Sequence, residues 1–133
     1  MRNVFLSIAI TWLFAMPAPL LAQSPIRILF LGDNGGHKPN ARYRQLQPIF
    51  EKRGIDLTYT DTAAALNAKT LERYDGLLIY SNLTKITPDQ ETALLDFVAS
   101  GKGFIPLHCA SFCFLNSEKY IELVGAQFKS HGI

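Results

Sequence analysis

The stretch IRILFLGD, residues 26–33, is a mainly apolar run that ends in glycine and aspartate. A short apolar run that stops at a turn signal is typical of a β-strand buried on both faces, as in parallel sheets. Two later runs have the same character: DGLLIYSN at 75–82 and GFIPLH at 103–108. IDLTYTD at 55–61 alternates as a strand does. We therefore expect four strands that share one sheet.

Segments with helical spacing separate these strands. The expected helices cover about residues 41–53, 63–74, 87–101 and 116–125. The third has the clearest signals, because Thr87 is suited to the N-cap, Pro88 to the first turn and Gln90 to a capping box. AQFKSH, residues 126–131, is interpreted as the start of a fifth strand.

The alternation of strand and helix predicts a doubly wound, mostly parallel α/β sheet with helices on both faces. Ligands of such sheets bind in the crevice beyond the carboxyl ends of the strands. All three histidines of the chain, His37, His108 and His131, fall near predicted strand ends. The sequence thus predicts a site that contains these three imidazoles.

Composition and charge limit the classes of function. The chain has 133 residues, of which 48% are hydrophobic and 18% charged, which fits one globular domain. A net charge of +2 without a basic block gives no support for a nucleic-acid partner. The chain contains two cysteines, so it can form at most one internal disulfide.

The N-terminal segment is typical of a signal peptide. Residues 4–22 carry no charge and follow Arg2, and Ala22 offers a small residue for cleavage. We expect a signal peptide over residues 1–22 and a mature domain over 23–133. That domain is expected in an oxidising compartment, most simply the periplasm of a Gram-negative bacterium, without a stable membrane span after cleavage. An uncleaved membrane anchor is the alternative.

The turn after the first strand, GDNGGHKP, is a candidate ligand contact. Its glycines allow a sharp turn with exposed N–H groups, but the spacing matches neither of the common nucleotide-binding loops. The candidate ligand-binding residues here and at the neighbouring strand ends are Asp33, Gly35, Gly36, Asn82 and Ser111. An ordinary strand-to-helix turn remains the alternative.

The stretch FIPLHCASFCF, residues 104–114, resembles a nucleophile elbow with His108 at its tip. With His108 at the tip, the candidate catalytic groups are His108, His37 and His131 acting in acid/base chemistry. A register shifted by one residue would instead make Cys109 the nucleophile and His131 its base. Cys109 could also be an inert buried thiol, or form a disulfide with Cys113.

The same histidines could in principle hold Zn²⁺. Local spacing does not support a metal site, so no metal or cofactor is assigned, and zinc remains an open possibility.

Three segments together are similar to the ThuA-like (trehalose-utilisation) domain of the class I glutamine amidotransferase-like superfamily. They are the first turn and helix, the YDGLLIYSN strand, and above all GKGFIPLHCASFCFLNSEKYIELVGAQFKSHG at 101–132. The resemblance implies a flavodoxin-like fold in which the amidotransferase cysteine is commonly not retained. It also implies an exported protein linked to trehalose and related sugars, in some cases fused to haem-binding or cytochrome modules.

The expected function is therefore the binding or processing of a sugar or sugar derivative at the carboxyl ends of the strands. If the protein is an enzyme, we expect it to act on carbohydrate by histidine acid/base chemistry. Two alternatives stay open: a thiol-dependent hydrolase or amidotransferase using Cys109, and a non-catalytic binding module of a larger fusion protein. Because the family domain continues beyond the FKSH segment, we interpret the chain as a C-terminally truncated form of it.

Overall fold

A computed structural model describes residues 24–131 of the chain. The predicted signal peptide, residues 1–22, lies outside the described residues. The strands are β1 (Ile26–Leu31), β2 (Ile55–Thr60), β3 (Gly76–Ile79) and β4 (Gly103–Pro106). The helices are α1 (Pro39–Glu51), α2 (Ala68–Leu71), α3 (Pro88–Ala99) and α4 (Glu118–Val124), and 3₁₀ turns cover Ala63–Ala65 and His108–Phe112. Over these residues, no helix is both long enough and apolar enough to cross a bilayer.

The four strands form one parallel sheet in the order β2-β1-β3-β4. The predicted α/β class and the parallel sheet are confirmed. The two central strands explain why their sequences read as continuous apolar runs: the last four residues of β1 and all four of β3 are buried. Because every strand runs the same way, the segments that follow β1, β3 and β4 emerge at one edge of the sheet.

Helices cover both faces of the sheet, and alternate residues of β1 point to opposite sides. Leu29 and Leu31 pack into the larger core with side chains of α2, α3 and α4. Ile28 and Phe30 pack on the other face with residues of α1, among them Tyr43, Leu46 and Phe50. The doubly wound arrangement expected from the sequence therefore holds in the region described.

Two expected elements differ from those observed. The helix expected over 63–74 is split into a 3₁₀ turn and the short α2, because Asn67 is extended and caps α2 by accepting a hydrogen bond from the Thr70 N–H. The expectation of a fifth strand at 126–131 is wrong, since this segment has no regular structure. One backbone hydrogen bond, from Phe128 N to Ser111 O, fastens the segment to the turn that follows β4.

Candidate functional site

A cavity of about 180 Å³ lies where the segments after β1, β3 and β4 meet. His37 follows β1, Asn82 follows β3, and His108 follows β4. The C-terminal segment adds His131, so all three histidines of the chain line one cavity. The lining residues are His37, Asn82, His108, Cys109, Ser111, Phe112, Phe128 and His131.

His108 occupies the tip of the turn after β4 in a left-handed backbone conformation, with φ 47°. A non-glycine residue at positive φ directly after a parallel strand is the geometry expected of a nucleophile elbow. A hydrogen bond from α4 holds this turn in place: the hydroxyl of the buried Tyr120 donates to Ala110 O at 3.0 Å. Ser111 Oγ donates to His108 O at 3.1 Å. The structure therefore places the His108 imidazole at the tip of this turn, where it lines the cavity.

Aromatic rings surround the histidines. The ring centroids of His37 and His108 are 5.0 Å apart, and Tyr80 stacks on His108 with centroids 6.0 Å apart. On the other side His131 lies against Phe128, with centroids 4.9 Å apart. The cavity thus combines flat apolar walls with ring nitrogens, a composition common in small-molecule sites.

Asp33 does not line the cavity but holds together the two loops that do. One carboxylate oxygen accepts from Gly35 N at 2.6 Å. The other accepts from Ser81 Oγ at 3.2 Å and from the backbone N–H of Asn82. Asp33 is only 9% exposed, so these donors supply the hydrogen bonds that an exposed carboxylate would receive from water. Asp33 therefore fixes the relative position of the loops that carry His37 and Asn82.

Asn82 connects the loop after β3 to His37. Its Nδ2 lies 3.4 Å from His37 Nδ1. Its Oδ1 is buried and has no hydrogen-bond partner among the residues that the structure describes. A buried acceptor without a donor is costly, and a ligand hydroxyl is one way to satisfy it.

Both cysteines are free thiols in the structure, so the candidate disulfide is not formed. The Cys113 thiol instead donates to Ser81 O at 2.8 Å. Burial, with a smaller effect of the Asp33 charge, raises the pKa of Cys109 to about 11. Burial likewise raises the pKa of Cys113 to about 12. Neither environment favours the thiolate that nucleophilic catalysis needs.

The histidines share the cavity without forming a metal cage. Within residues 24–131, no group of three His, Cys, Asp or Glu side chains lies close enough together to hold an ion. The ring nitrogens of these histidines can donate and accept hydrogen bonds.

The structure brings together six of the side chains singled out from the sequence: the three histidines, Asn82, Cys109 and Ser111. Gly35 and Gly36 lie in the exposed turn after β1 and are not among the lining residues. Sequence reasoning missed Phe112 and Phe128, whose rings contact each other with centroids 6.0 Å apart. The sequence did offer one signal for these two rings: Phe112 directly follows Ser111, and Phe128 lies three residues before His131.

Comparisons with known proteins agree with this fold. The sequence model of the ThuA family, described as trehalose utilisation, matches residues 27–133. No curated protein matches the chain significantly. A crystal structure from Bacteroides uniformis, of a protein described as ThuA-like, superposes with a TM-score of 0.60 at 18% identity. That match covers 84% of this chain and 48% of the other, so the chain spans about half the length of its structural relative.

Proposed function

The chain belongs to the ThuA, or trehalose-utilisation, family, and on that premise we propose that it binds a sugar or sugar derivative in the cavity lined by its three histidines. The observation that carries the proposal is the convergence of His37, His108 and His131 on one cavity at the strand ends. The parallel sheet brings His37 and His108 together, and the C-terminal segment, which is fastened by the hydrogen bond from Phe128 N to Ser111 O, adds His131.

The lining residues suit a sugar because they combine flat apolar surfaces with hydrogen-bonding groups. A sugar ring has C–H faces that pack on aromatic rings and hydroxyl edges that need donors and acceptors. Phe112 and Phe128 supply apolar walls. Asn82 Oδ1, which has no donor among the described residues, and the Ser111 hydroxyl supply polar contacts.

The size of the cavity favours a small ligand. Its volume of about 180 Å³ is below the range of about 300 to 1,000 Å³ found for drug-sized ligands. We therefore propose a ligand of monosaccharide size, with a disaccharide extending into solvent if it binds.

The paired imidazoles support acid/base chemistry on such a ligand. His37 and His108 lie with ring centroids 5.0 Å apart, so one ring can accept a proton from a ligand hydroxyl or carbon while the other donates one. Histidine is the side chain most suited to this exchange near neutral pH. If the protein turns over its ligand, we propose that these two residues carry the proton transfers.

A thiol hydrolase is the weaker alternative. Cys109 lines the cavity, but it is 7% exposed and burial raises its pKa to about 11. His108, not Cys109, has the left-handed backbone of an elbow tip.

We also propose that residues 1–22 direct export and that the mature domain starts at residue 23. Mass spectrometry of the protein from a periplasmic fraction should show an N-terminus at Gln23, whereas a retained Met1 would contradict export by a cleaved leader. Association with a haem-binding or cytochrome module stays a prediction from the family resemblance.

Thermal stabilisation by monosaccharides tests the proposed sugar site. A ligand that binds only the folded protein raises its melting temperature with concentration. We expect stabilisation of the wild type, and its loss in His108→Ala and His131→Ala. Thr92→Ala, an exposed position on α3 away from the cavity, is the matched control and should respond like the wild type. Equal stabilisation of the wild type and both histidine variants would contradict the site.

A further inference from the structure

We infer that the cavity selects an anionic monosaccharide derivative, one that carries a carboxylate or phosphate group. The inference rests on the proposed sugar site and specifies its ligand class. Three of the eight lining residues are histidines, and none is aspartate or glutamate. A site for neutral sugars needs no such concentration of imidazoles, whereas an anion gains from each imidazole that becomes protonated.

The spacing of the imidazoles adds to this preference. His37 and His108 have ring centroids 5.0 Å apart, so two positive charges there would repel each other in an empty cavity. An anionic group placed beside both rings removes that repulsion. Anion binding and protonation of the histidines therefore favour each other, which is ordinary linkage.

An aromatic ring covers one side of His108. Tyr80 stacks on the His108 ring with centroids 6.0 Å apart and an interplanar angle of 26°. The tyrosine therefore packs against His108 without adding a carboxylate that would repel an anionic ligand.

Two carboxylates contact the loops that carry His37 and Asn82, although neither lines the cavity. Asp33, after β1, accepts hydrogen bonds from Gly35 N–H, Ser81 Oγ and Asn82 N–H, and Asp61 accepts one from Asn34 Nδ2. Lys38 follows His37 in the sequence, Lys129 follows Phe128, and both lysines are exposed. Cys109 stays neutral because burial raises the pKa of its thiol to about 11.

Calorimetric titration of the wild-type protein with glucose, glucuronate and glucose 6-phosphate tests the inference at about pH 5.5 and about pH 8, on either side of the usual titration range of histidine. At the lower pH we expect the anionic sugars to bind at least about tenfold more tightly than glucose, the equivalent of one strong charged contact. At the higher pH the advantage of glucuronate, whose carboxylate is ionised at both pH values, should shrink to less than about threefold, because a neutral imidazole attracts a carboxylate less than an imidazolium does. A larger advantage for glucuronate or for glucose 6-phosphate identifies which anionic group fits.

Substitutions of the histidines test whether these residues cause the preference for anionic sugars. His108→Gln and His131→Gln keep a hydrogen-bonding side chain but cannot become positive, so each should reduce the anionic advantage and its pH dependence. Lys69→Gln, an exposed position on α2, is the matched control for loss of one positive charge and should behave like the wild type.

The possible outcomes separate the inference from the proposed function. Equal binding of glucose and glucuronate at both pH values would overturn the anionic preference and leave the sugar site standing. Binding of none of the three sugars would overturn both. Inorganic phosphate that binds as tightly as glucose 6-phosphate would show that the sugar ring contributes nothing, which contradicts both claims.

Discussion

His108 combines a strained backbone with the central side chain of the candidate site. Its φ of 47° lies in the left-handed region, which costs a residue with a Cβ atom about 1 to 2 kcal/mol. Strain of this kind is often stored at functional positions, where the surrounding structure holds it. Here Tyr120 and Ser111 hold the turn by hydrogen bonds to Ala110 O and His108 O.

A pair of substitutions at His108 tests this strain. His108→Gly and His108→Ala both remove the imidazole, but only glycine adopts positive φ without a steric penalty. We expect the glycine variant to be more stable than the alanine variant by about 1 kcal/mol in urea unfolding, and both to lose ligand binding. An alanine variant at least as stable as the glycine variant would contradict the strained tip.

A substitution at Asp33 tests whether this carboxylate holds together the loops that carry His37 and Asn82. Asp33→Asn replaces a carboxylate that accepts three hydrogen bonds by an amide with one acceptor oxygen. We expect a loss of about 2 kcal/mol in the free energy of unfolding, together with weaker ligand binding, because His37 and Asn82 lie on the loops that Asp33 joins. Asp61→Asn is the control, since the hydrogen bond that Asp61 accepts from Asn34 is exposed to solvent. Similar losses in the two variants would argue against a special role for Asp33.

The cysteines should be unreactive in the folded protein. Burial raises the pKa of Cys109 to about 11 and that of Cys113 to about 12, so almost no thiolate is present near neutral pH. Mass spectrometry after iodoacetamide treatment near pH 7.5 should find both thiols unmodified in the native protein and both alkylated in urea. Rapid modification of Cys109 in the native state would revive the thiol-hydrolase alternative.

At the scale of elements, α3 has the most complete local signals. Thr87 Oγ1 accepts from Gln90 N at 3.3 Å, and Gln90 Oε1 accepts from Thr87 N at 3.0 Å, which completes the predicted capping box. Pro88 occupies the first turn. Leu94 and Phe97 bury the inner face of the helix against the larger core.

Removal of the cap measures its contribution. Thr87→Ala leaves the Gln90 N–H without its side-chain acceptor, and we expect a loss of about 1 kcal/mol in the free energy of unfolding. Thr92→Ala, on the exposed side of the same helix, should change stability much less. No difference between the two variants in urea unfolding would show that the cap does not stabilise α3.

Local signals explain which elements could be predicted. Buried strands and capped helices have patterns confined to a few neighbouring residues, as in β1 and α3. The segment at 126–131 has apolar and polar residues that suit a strand, but no neighbouring strand pairs with it in the described structure. Pairing depends on the tertiary structure, so local pattern alone could not exclude that strand.

The part of the candidate site at the strand ends was predictable for the same reason that the sheet was. His131 was expected on a fifth strand, and the structure instead brings it to the cavity on an irregular segment. Once β1, β3 and β4 are parallel, the residues after them must share an edge, which places His37, Asn82 and His108 together. The aromatic walls at Phe112 and Phe128 depend on how irregular segments pack. No short-range pattern encodes that packing, so these walls were missed.

At the scale of the whole molecule, the sheet and the C-terminal segment together bring distant residues to one cavity. His37 and His131 are far apart in the chain, yet both line the same space of about 180 Å³. The two cores on opposite faces of the sheet hold the strands whose ends form this edge. The central claim is that this shared cavity is where a sugar derivative binds.

Histidine-ring NMR tests that claim most directly, because the chain contains three histidines and all line the cavity. The measurement follows the ¹H–¹³C signals of the three imidazoles while glucose or glucuronate is added. The account predicts that all three signals shift along one saturation curve with a single dissociation constant. A sugar that binds while the three imidazole signals stay unchanged would contradict it.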